Sequence, residues 1–206
     1  MIITSSPKLT FADFLEQYPD GSGRYELVNG ELVKVEPTRA HKNIARFLVR
    51  RFDRESERLN LDYIIDKDII VKTVTQEGEE RGRNPDVAVV KAEVWNRNVR
   101  TYGALTEPIE LAVEVVSTNW EDDYIDKREE YQRLGIAEYW IVDYLAIASR
   151  AFLGNPKQPQ ILVYRLVEGE YQLRSFSGSD RIFSPTFPEL ELTVDEVLTA
   201  SGIREL

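Results

Sequence analysis

The chain has 206 residues, no cysteine and a formal net charge of −10, with a sequence pI near 4.8. Its length fits one domain, and 42% hydrophobic with 30% charged residues is typical of a soluble globular protein. The lack of cysteine excludes a disulfide framework, a thiol nucleophile and thiolate-bound zinc. The negative charge argues against a tight, non-specific nucleic-acid binder.

The chain carries neither of the sequence signals that direct a protein to a membrane. No apolar run approaches the roughly 20 residues that span a bilayer, and the first residues lack the basic start and long apolar stretch of a secretion signal. We therefore expect a cytoplasmic protein with a single domain over residues 1–206.

Capping signals mark the first and the last predicted helices, at Thr10 and Thr193. In both places a hydroxyl residue stands three positions before an acid, which is the capping-box pattern. Between them, alternating apolar residues on both sides of Asn29-Gly30 predict a hairpin over 24–36. A long helix is expected to follow at 39–59.

Further along the chain, strands and helices alternate. Strands are predicted at 63–71, 86–90, 111–116 and 139–142, a helix at 122–134 that ends at Gly135, and a second hairpin at 161–176. The polar segments 75–84 and 149–160 are expected to be loops, the first of them mobile. The order predicts an α/β (α+β) domain with a mixed sheet core flanked by helices and with N- and C-terminal hairpins.

Two acids lie where central strands should be apolar. Glu114 interrupts the apolar run 111–116, and Asp86 opens the preceding strand after Pro85. A carboxylate in a strand that is covered on both faces needs a cation, hydrogen bonds or a shifted pKa. Two such carboxylates at the ends of adjacent strands form a hard-oxygen site suited to magnesium or manganese.

A lysine is expected to complete this site. Lys127 shares a helix face with Tyr124, Tyr131 and Leu134 at 3-4-3 spacing. A lysine on the inward face of a helix needs an anion, and the strand that contains Glu114 leads into this helix within a few residues. Two acids and a lysine at a strand end suit metal-assisted phosphodiester hydrolysis.

The segments RYELVNGELV, NPDVAVV, LAVEVVSTN and DKREEYQRLGIAEYWIVDY resemble the Uma family, which comprises restriction-endonuclease-like proteins of the PD-(D/E)xK nuclease superfamily. The resemblance runs from Thr10 to Tyr164 and implies Asp86 and Glu114 as the superfamily acids. The superfamily lysine normally lies two residues after the second acid, where this chain has Val116. The Uma-type pattern places it on the next helix, which points to Lys127.

The resemblance also implies an activity. We expect an Mg²⁺- or Mn²⁺-dependent endonuclease that acts on nucleic acid, with DNA as the substrate and a homodimer as the assembly. Asp86, Glu114 and the backbone carbonyl of Val115 would hold one or two ions, and Lys127 would orient water or stabilise developing charge. Glu26, in the family-like YEL element, and His41, since the Uma-type pattern often has a histidine after the first hairpin, are additional catalytic candidates.

Each candidate also has a purely structural interpretation. Asp86 fits a turn acid before a strand, and Lys127 fits a lysine that snorkels from its helix or pairs with Asp123. His41 fits a hydrogen-bonding residue at a helix end, and Glu26 fits a solvent-facing position on its hairpin.

Cationic and aromatic residues outside these positions are possible nucleic-acid contacts. Trp120 is a candidate for base stacking, whereas Trp140 is expected in the core. Arg81 and Arg83, in the predicted mobile loop, could reach a phosphate backbone. A solvated, ion-paired helix face or a phosphate-tracking stripe fits four arginines of the long helix: Arg46, Arg50, Arg54 and Arg58.

Two other classes of function remain open at this point. The nuclease fold could serve as an inactive binding or assembly module, or the site could act on a small phosphate ester, which the acidic charge favours over DNA. A glycosidase with two carboxylates would leave Lys127 unexplained.

Overall fold

The computed structural model describes residues 8–21, 23–100 and 103–203. The helices are α1 (Phe11–Glu16), α2 (Arg39–Arg58), α3 (Ala92–Trp95), α4 (Lys127–Leu134), α5 (Arg150–Leu153) and α6 (Val194–Ala200). A 3₁₀ turn follows α3 at Asn96–Asn98, and a π-helical turn at Asp122–Asp126 leads into α4.

The strands belong to two mixed sheets. They are β1 (Arg24–Val28), β2 (Glu31–Val35), β3 (Tyr63–Asp66), β4 (Ile70–Val74), β5 (Glu80–Arg83), β6 (Val87–Lys91), β7 (Ala104–Leu105), β8 (Leu111–Val115), β9 (Glu138–Asp143), β10 (Gln160–Val167) and β11 (Glu170–Phe176). The five-stranded sheet has the order β2-β1-β5-β4-β7, and the six-stranded sheet has the order β11-β10-β9-β8-β6-β3.

The six-stranded sheet is covered on both faces. Ile44, Leu48 and Phe52 of α2 pack with one set of alternating strand residues, and α6 joins them. Tyr124 and Tyr131 pack with the opposite set. Every residue of β8 is buried as a result, which confirms the prediction of a strand without a solvent-facing side.

The local signals in the sequence correspond to the observed element ends. Both capping boxes are formed, at Thr10 and Thr193, and α4 ends at Gly135 with a φ of 93°. The two hairpin turns use left-handed residue pairs, as Asn29 and Glu168 have φ angles of 55° and 52° before their glycines. The α/β architecture with a mixed sheet, flanking helices and terminal hairpins is therefore as predicted.

Three local predictions are wrong. The expected strand 63–71 divides into β3 and β4, which belong to different sheets. The expected mobile loop 75–84 contains β5, which pairs with both β1 and β4. The expected loop 149–160 contains the short helix α5. The polar residues of β5 misled the prediction because their charges are neutralised by distant parts of the chain, as described below.

Within the described ranges, no helix combines the length and the apolar composition needed to cross a bilayer.

Candidate active site

Strand register brings the two predicted acids together. β6 and β8 are antiparallel with Val87 opposite Val113, so the residue before β6 lies beside the end of β8. The Asp86 carboxylate accepts a hydrogen bond of 2.8 Å from the backbone N–H of Val115. Asp86 and Glu114 are 4% and 2% exposed, so both carboxylates lie in a region of low dielectric.

Asp86 is surrounded by hydrogen-bond donors. His41, in the first turn of α2, places Nε2 at 2.5 Å from Oδ2, and Arg24 donates from Nη1 to Oδ1 at 3.0 Å. Burial disfavours the carboxylate, yet His41, Arg24 and the Val115 N–H together hold the pKa of Asp86 well below its usual range. An ionised carboxylate only accepts, so His41 carries its proton on Nε2 in this contact.

Lys127 lies at the centre of a carboxylate cluster. Its Nζ is 3.0 Å from Glu114 Oε2 and 3.1 Å from Asp123 Oδ1, and 3.7 Å from Glu26 Oε1. Burial acts against the ammonium, but these carboxylates outweigh it and raise the pKa of Lys127 above its usual value. Lys127 is therefore a fixed positive charge in the site.

The same crowding disfavours the ionised acids. Burial, to which repulsion from neighbouring carboxylates adds, raises the pKa of Glu114 to about 8 despite the attraction of Lys127. Burial likewise raises the pKa of Asp123 to about 6. The Tyr131 hydroxyl donates to Glu114 Oε1 at 2.7 Å. The cluster has more negative charge than its own cations neutralise.

The structure brings all five predicted catalytic candidates into one cluster. Glu26 is 6% exposed, so its interpretation as a solvent-facing strand residue is wrong. His41 is not merely a helix-end residue, because its ring contacts Asp86. The interpretation of Lys127 as a partner of Asp123 holds, but Glu114 lies equally close.

The other predicted contacts lie elsewhere. Arg81 and Arg83 are 9% and 1% exposed, so the expectation that they reach a phosphate backbone is wrong. Trp140 is buried in the core, as predicted. Trp120 is partly buried and packs edge-on against Tyr124. All four predicted long-helix arginines are exposed, and Arg58 is also in ion pairs with Glu55 and Glu189.

Sequence reasoning missed Arg24 and named Asp123 only as a structural partner of Lys127. Asp123 stands four positions before Lys127, which is the ordinary spacing of a helical ion pair, so a signal was available. Arg24 also donates to the backbone carbonyl of Pro85 at 2.9 Å and thereby fixes the segment that leads to Asp86. No local pattern marks Arg24 as a site residue, since its contact with Asp86 spans 62 positions of sequence.

The donor chemistry of the cluster fits a divalent cation, although its oxygens are engaged by protein groups. Among the described residues, no three His, Asp or Glu side chains converge on one metal-sized point. Asp86, just before β6, and Glu114, in the adjacent strand β8, nonetheless present hard oxygen donors of the kind that divalent cations prefer. Five buried carboxylates outnumber the three permanent cations beside them; the carboxylates are Glu26, Asp86, Glu114, Asp123 and Glu130, and the cations are Arg24, Arg83 and Lys127.

Comparisons with known proteins identify the fold and the family of the chain. Among curated proteins, no match was found. A crystal structure of "a putative nuclease belonging to DUF820" from Anabaena variabilis is 14% identical, with a TM-score of 0.69 over 94% of this chain and 99% of that chain; at this identity the likeness shows the fold. The Uma2 family model, described as "putative restriction endonuclease", matches residues 11–195. The chain therefore belongs to the Uma2 family.

Proposed function

We propose that this protein is a metal-dependent endonuclease that hydrolyses phosphodiester bonds in nucleic acid, with DNA as its substrate. The observation that carries the proposal is the buried meeting of Asp86 and Glu114, from adjacent strands, with Lys127 from the next helix. Membership of the Uma2 family supports a nuclease role.

Asp86 and Glu114, with the backbone carbonyl of Val115, would hold Mg²⁺ or Mn²⁺. When bound, such a cation polarises phosphate oxygens and neutralises their charge. In the described structure Lys127 and Arg24 occupy oxygens of these two acids.

Lys127 would serve as a charge donor rather than as a base. Because neighbouring carboxylates raise its pKa above the usual value, it remains an ammonium group at neutral pH. An ammonium in a buried site stabilises negative charge that develops on a phosphate, or orients an attacking water by donating an N–H to the water oxygen. Its three carboxylate neighbours hold Nζ in place for this purpose.

His41 would act on Asp86 rather than on the substrate. Its Nε2 donates to Oδ2, while the Val115 N–H donates to the same oxygen. Both contacts keep the carboxylate ionised and fix its orientation, as outer hydrogen bonds do for metal-binding carboxylates.

The test is cleavage of supercoiled plasmid and of single-stranded DNA in Mg²⁺, in Mn²⁺ and in EDTA. We expect the wild type to cleave at least one substrate when metal is present and Asp86→Asn to cleave none. Glu129→Gln, which changes an exposed residue of α4, is the matched control and should retain wild-type activity. Equal cleavage by Asp86→Asn would refute the assignment.

One observation favours a second candidate, an inactive nuclease-fold binding module. Both oxygens of Asp86 already have protein donors, from His41, Arg24 and Val115. This candidate predicts DNA binding without cleavage in any metal, and no calorimetric signal when Mn²⁺ is added.

We further propose a homodimer, because restriction-like enzymes often act as dimers on the two strands of a duplex. Sedimentation equilibrium would show twice the mass of the chain if this is correct. A monomer over the working concentration range would contradict it.

A further inference from the structure

A second, fully buried ion cluster lies between the five-stranded sheet and α4. Arg83 of β5 is 1% exposed. It donates two hydrogen bonds to the Glu130 carboxylate of α4, one of 2.8 Å from Nε and one of 2.7 Å from Nη2. Its Nη1 donates to Glu26 Oε2 at 3.2 Å. The Thr73 hydroxyl of β4 donates to Glu130 at 2.6 Å. Four residues from three strands and one helix thus form a single network.

This network ends at Lys127. Glu130 stands three positions after Lys127 on the same helix, and Glu26 lies between Arg83 and Lys127, with one oxygen toward each. Lys127 itself faces Glu114 of the other sheet. The position of α4, and with it the position of Nζ, is therefore set by contacts that reach from the five-stranded sheet to the six-stranded sheet.

The need for stability does not explain this arrangement well. Buried ion pairs lose most of their Coulomb attraction to desolvation, and apolar residues of similar volume often replace them without loss of stability. A bidentate Arg–carboxylate pair fixes the relative orientation of its two side chains, because both hydrogen bonds must be satisfied at once.

We propose that Arg83 and Glu130 are positioning residues that hold Lys127 against Glu114 in the hydrolytic site. The proposal rests on the proposed nuclease function, and it adds two residues that touch neither Asp86 nor Glu114. It assigns to the five-stranded sheet the role of fixing the catalytic lysine.

The test is the double variant Arg83→Met/Glu130→Gln. Glu130→Gln preserves shape, and its amide oxygen still accepts from Thr73; Arg83→Met keeps an apolar stem without the guanidinium group. We expect kcat to fall by roughly 10- to 100-fold at unchanged KM, because a displacement of about 1 Å at a catalytic group has effects of that size. The thermal midpoint should stay close to that of the wild type.

A second readout does not depend on cleavage. Lys127 is 8% exposed, so an acylating reagent followed by mass spectrometry should modify it slowly in the wild type, relative to exposed Lys34. In the double variant we expect at least a threefold faster modification. Arg133→Met, which removes another contact of α4 with β4 away from Lys127, is the control and should change neither kcat nor labelling.

The outcomes separate this proposal from the proposed function. If no protein cleaves any substrate, the nuclease function fails, and labelling of Lys127 alone decides the positioning role. Wild-type labelling and wild-type kcat in the folded double variant would overturn the proposal. Should the double variant not fold, Arg83→Lys, which keeps the charge but loses the two-pronged contact, gives the same decision through the same two readouts.

Discussion

Because Glu114 is buried among other carboxylates, we expect the metal-free protein to lose stability as pH rises. Burial, with repulsion from Asp123, Asp86 and Glu26, raises the pKa of Glu114 to about 8 from an ordinary value of 4.5. The folded protein therefore retains a proton that the unfolded chain releases. The corresponding stability is fully present below about pH 4.5 and is lost as pH rises through about 8.

The size of the effect follows from the shift. Each unit is worth about 1.4 kcal/mol, so ionising Glu114 in the folded, metal-free protein costs on the order of 5 kcal/mol. Glu114→Gln cannot ionise, and its amide oxygen still accepts from Tyr131. Coupling to Asp123 and the lost attraction to Lys127 reduce this cost. We therefore expect the free energy of unfolding of the variant to rise relative to that of the wild type by about 2–5 kcal/mol as the pH increases from about 5 to about 9.

Thermal unfolding followed by circular dichroism in EDTA measures this difference. For a chain of this size about 1 kcal/mol corresponds to about 2–4 °C, so the two midpoints should diverge by at least about 4 °C toward alkaline pH. Glu129→Gln is the control and should run parallel to the wild type. If the thermal midpoints of Glu114→Gln and the wild type changed with pH in parallel, ionisation of Glu114 would not be the cause of the lost stability.

Three further outcomes are expected. His41→Ala removes one of the two hydrogen bonds to Asp86 Oδ2 and should weaken Mn²⁺ binding by roughly 10- to 100-fold in calorimetry, because the lost contact keeps the carboxylate ionised and oriented; unchanged affinity would contradict the role of His41. Lys127→Met should lower the single-turnover cleavage rate by roughly 100- to 1,000-fold while Mn²⁺ still binds, and a rate near that of the wild type would exclude Lys127 from catalysis. Trp140→Ala empties a fully buried position that packs on Phe52 and should cost about 3–5 kcal/mol in urea unfolding; a loss below about 1 kcal/mol would contradict its place in the core.

Much of the fold could be predicted because its signals are local. A hairpin turn at Asn29-Gly30 needs left-handed residues whatever surrounds it, and a capping box at Thr10 involves only four neighbouring positions. The apolar run through β8 requires cover on both faces, which the six-stranded sheet provides. These features depend little on the rest of the chain.

The failures arise where distant residues decide the local structure. β5 reads as a polar loop, yet its Arg83 is buried because Glu130, 47 positions away, neutralises it. The turn between β3 and β4 at Lys67-Asp68 contains neither glycine nor proline, so the two strands read as one. A charge pattern cannot reveal which of its members will meet a partner from another sheet.

The candidate site likewise contains residues that the local sequence marks and residues that only distant contacts define. Asp86, Glu114 and Lys127 stand out because charged residues occupy positions where the apolar pattern predicts burial. Arg24 does not stand out, since its place at the start of β1 is ordinary and its contact with Asp86 is set by sheet packing. Asp123 lies in a π-helical turn, a rare form often found at functional sites, which no local sequence rule predicts.

The measurement that tests the central claim most directly is the cleavage rate of supercoiled plasmid in Mg²⁺, compared between the wild type and Glu114→Gln at a pH where both are folded. We expect cleavage by the wild type that EDTA abolishes, and no cleavage above background by Glu114→Gln. Cleavage at equal rates by both proteins would show that the Asp86–Glu114–Lys127 cluster is not the hydrolytic site.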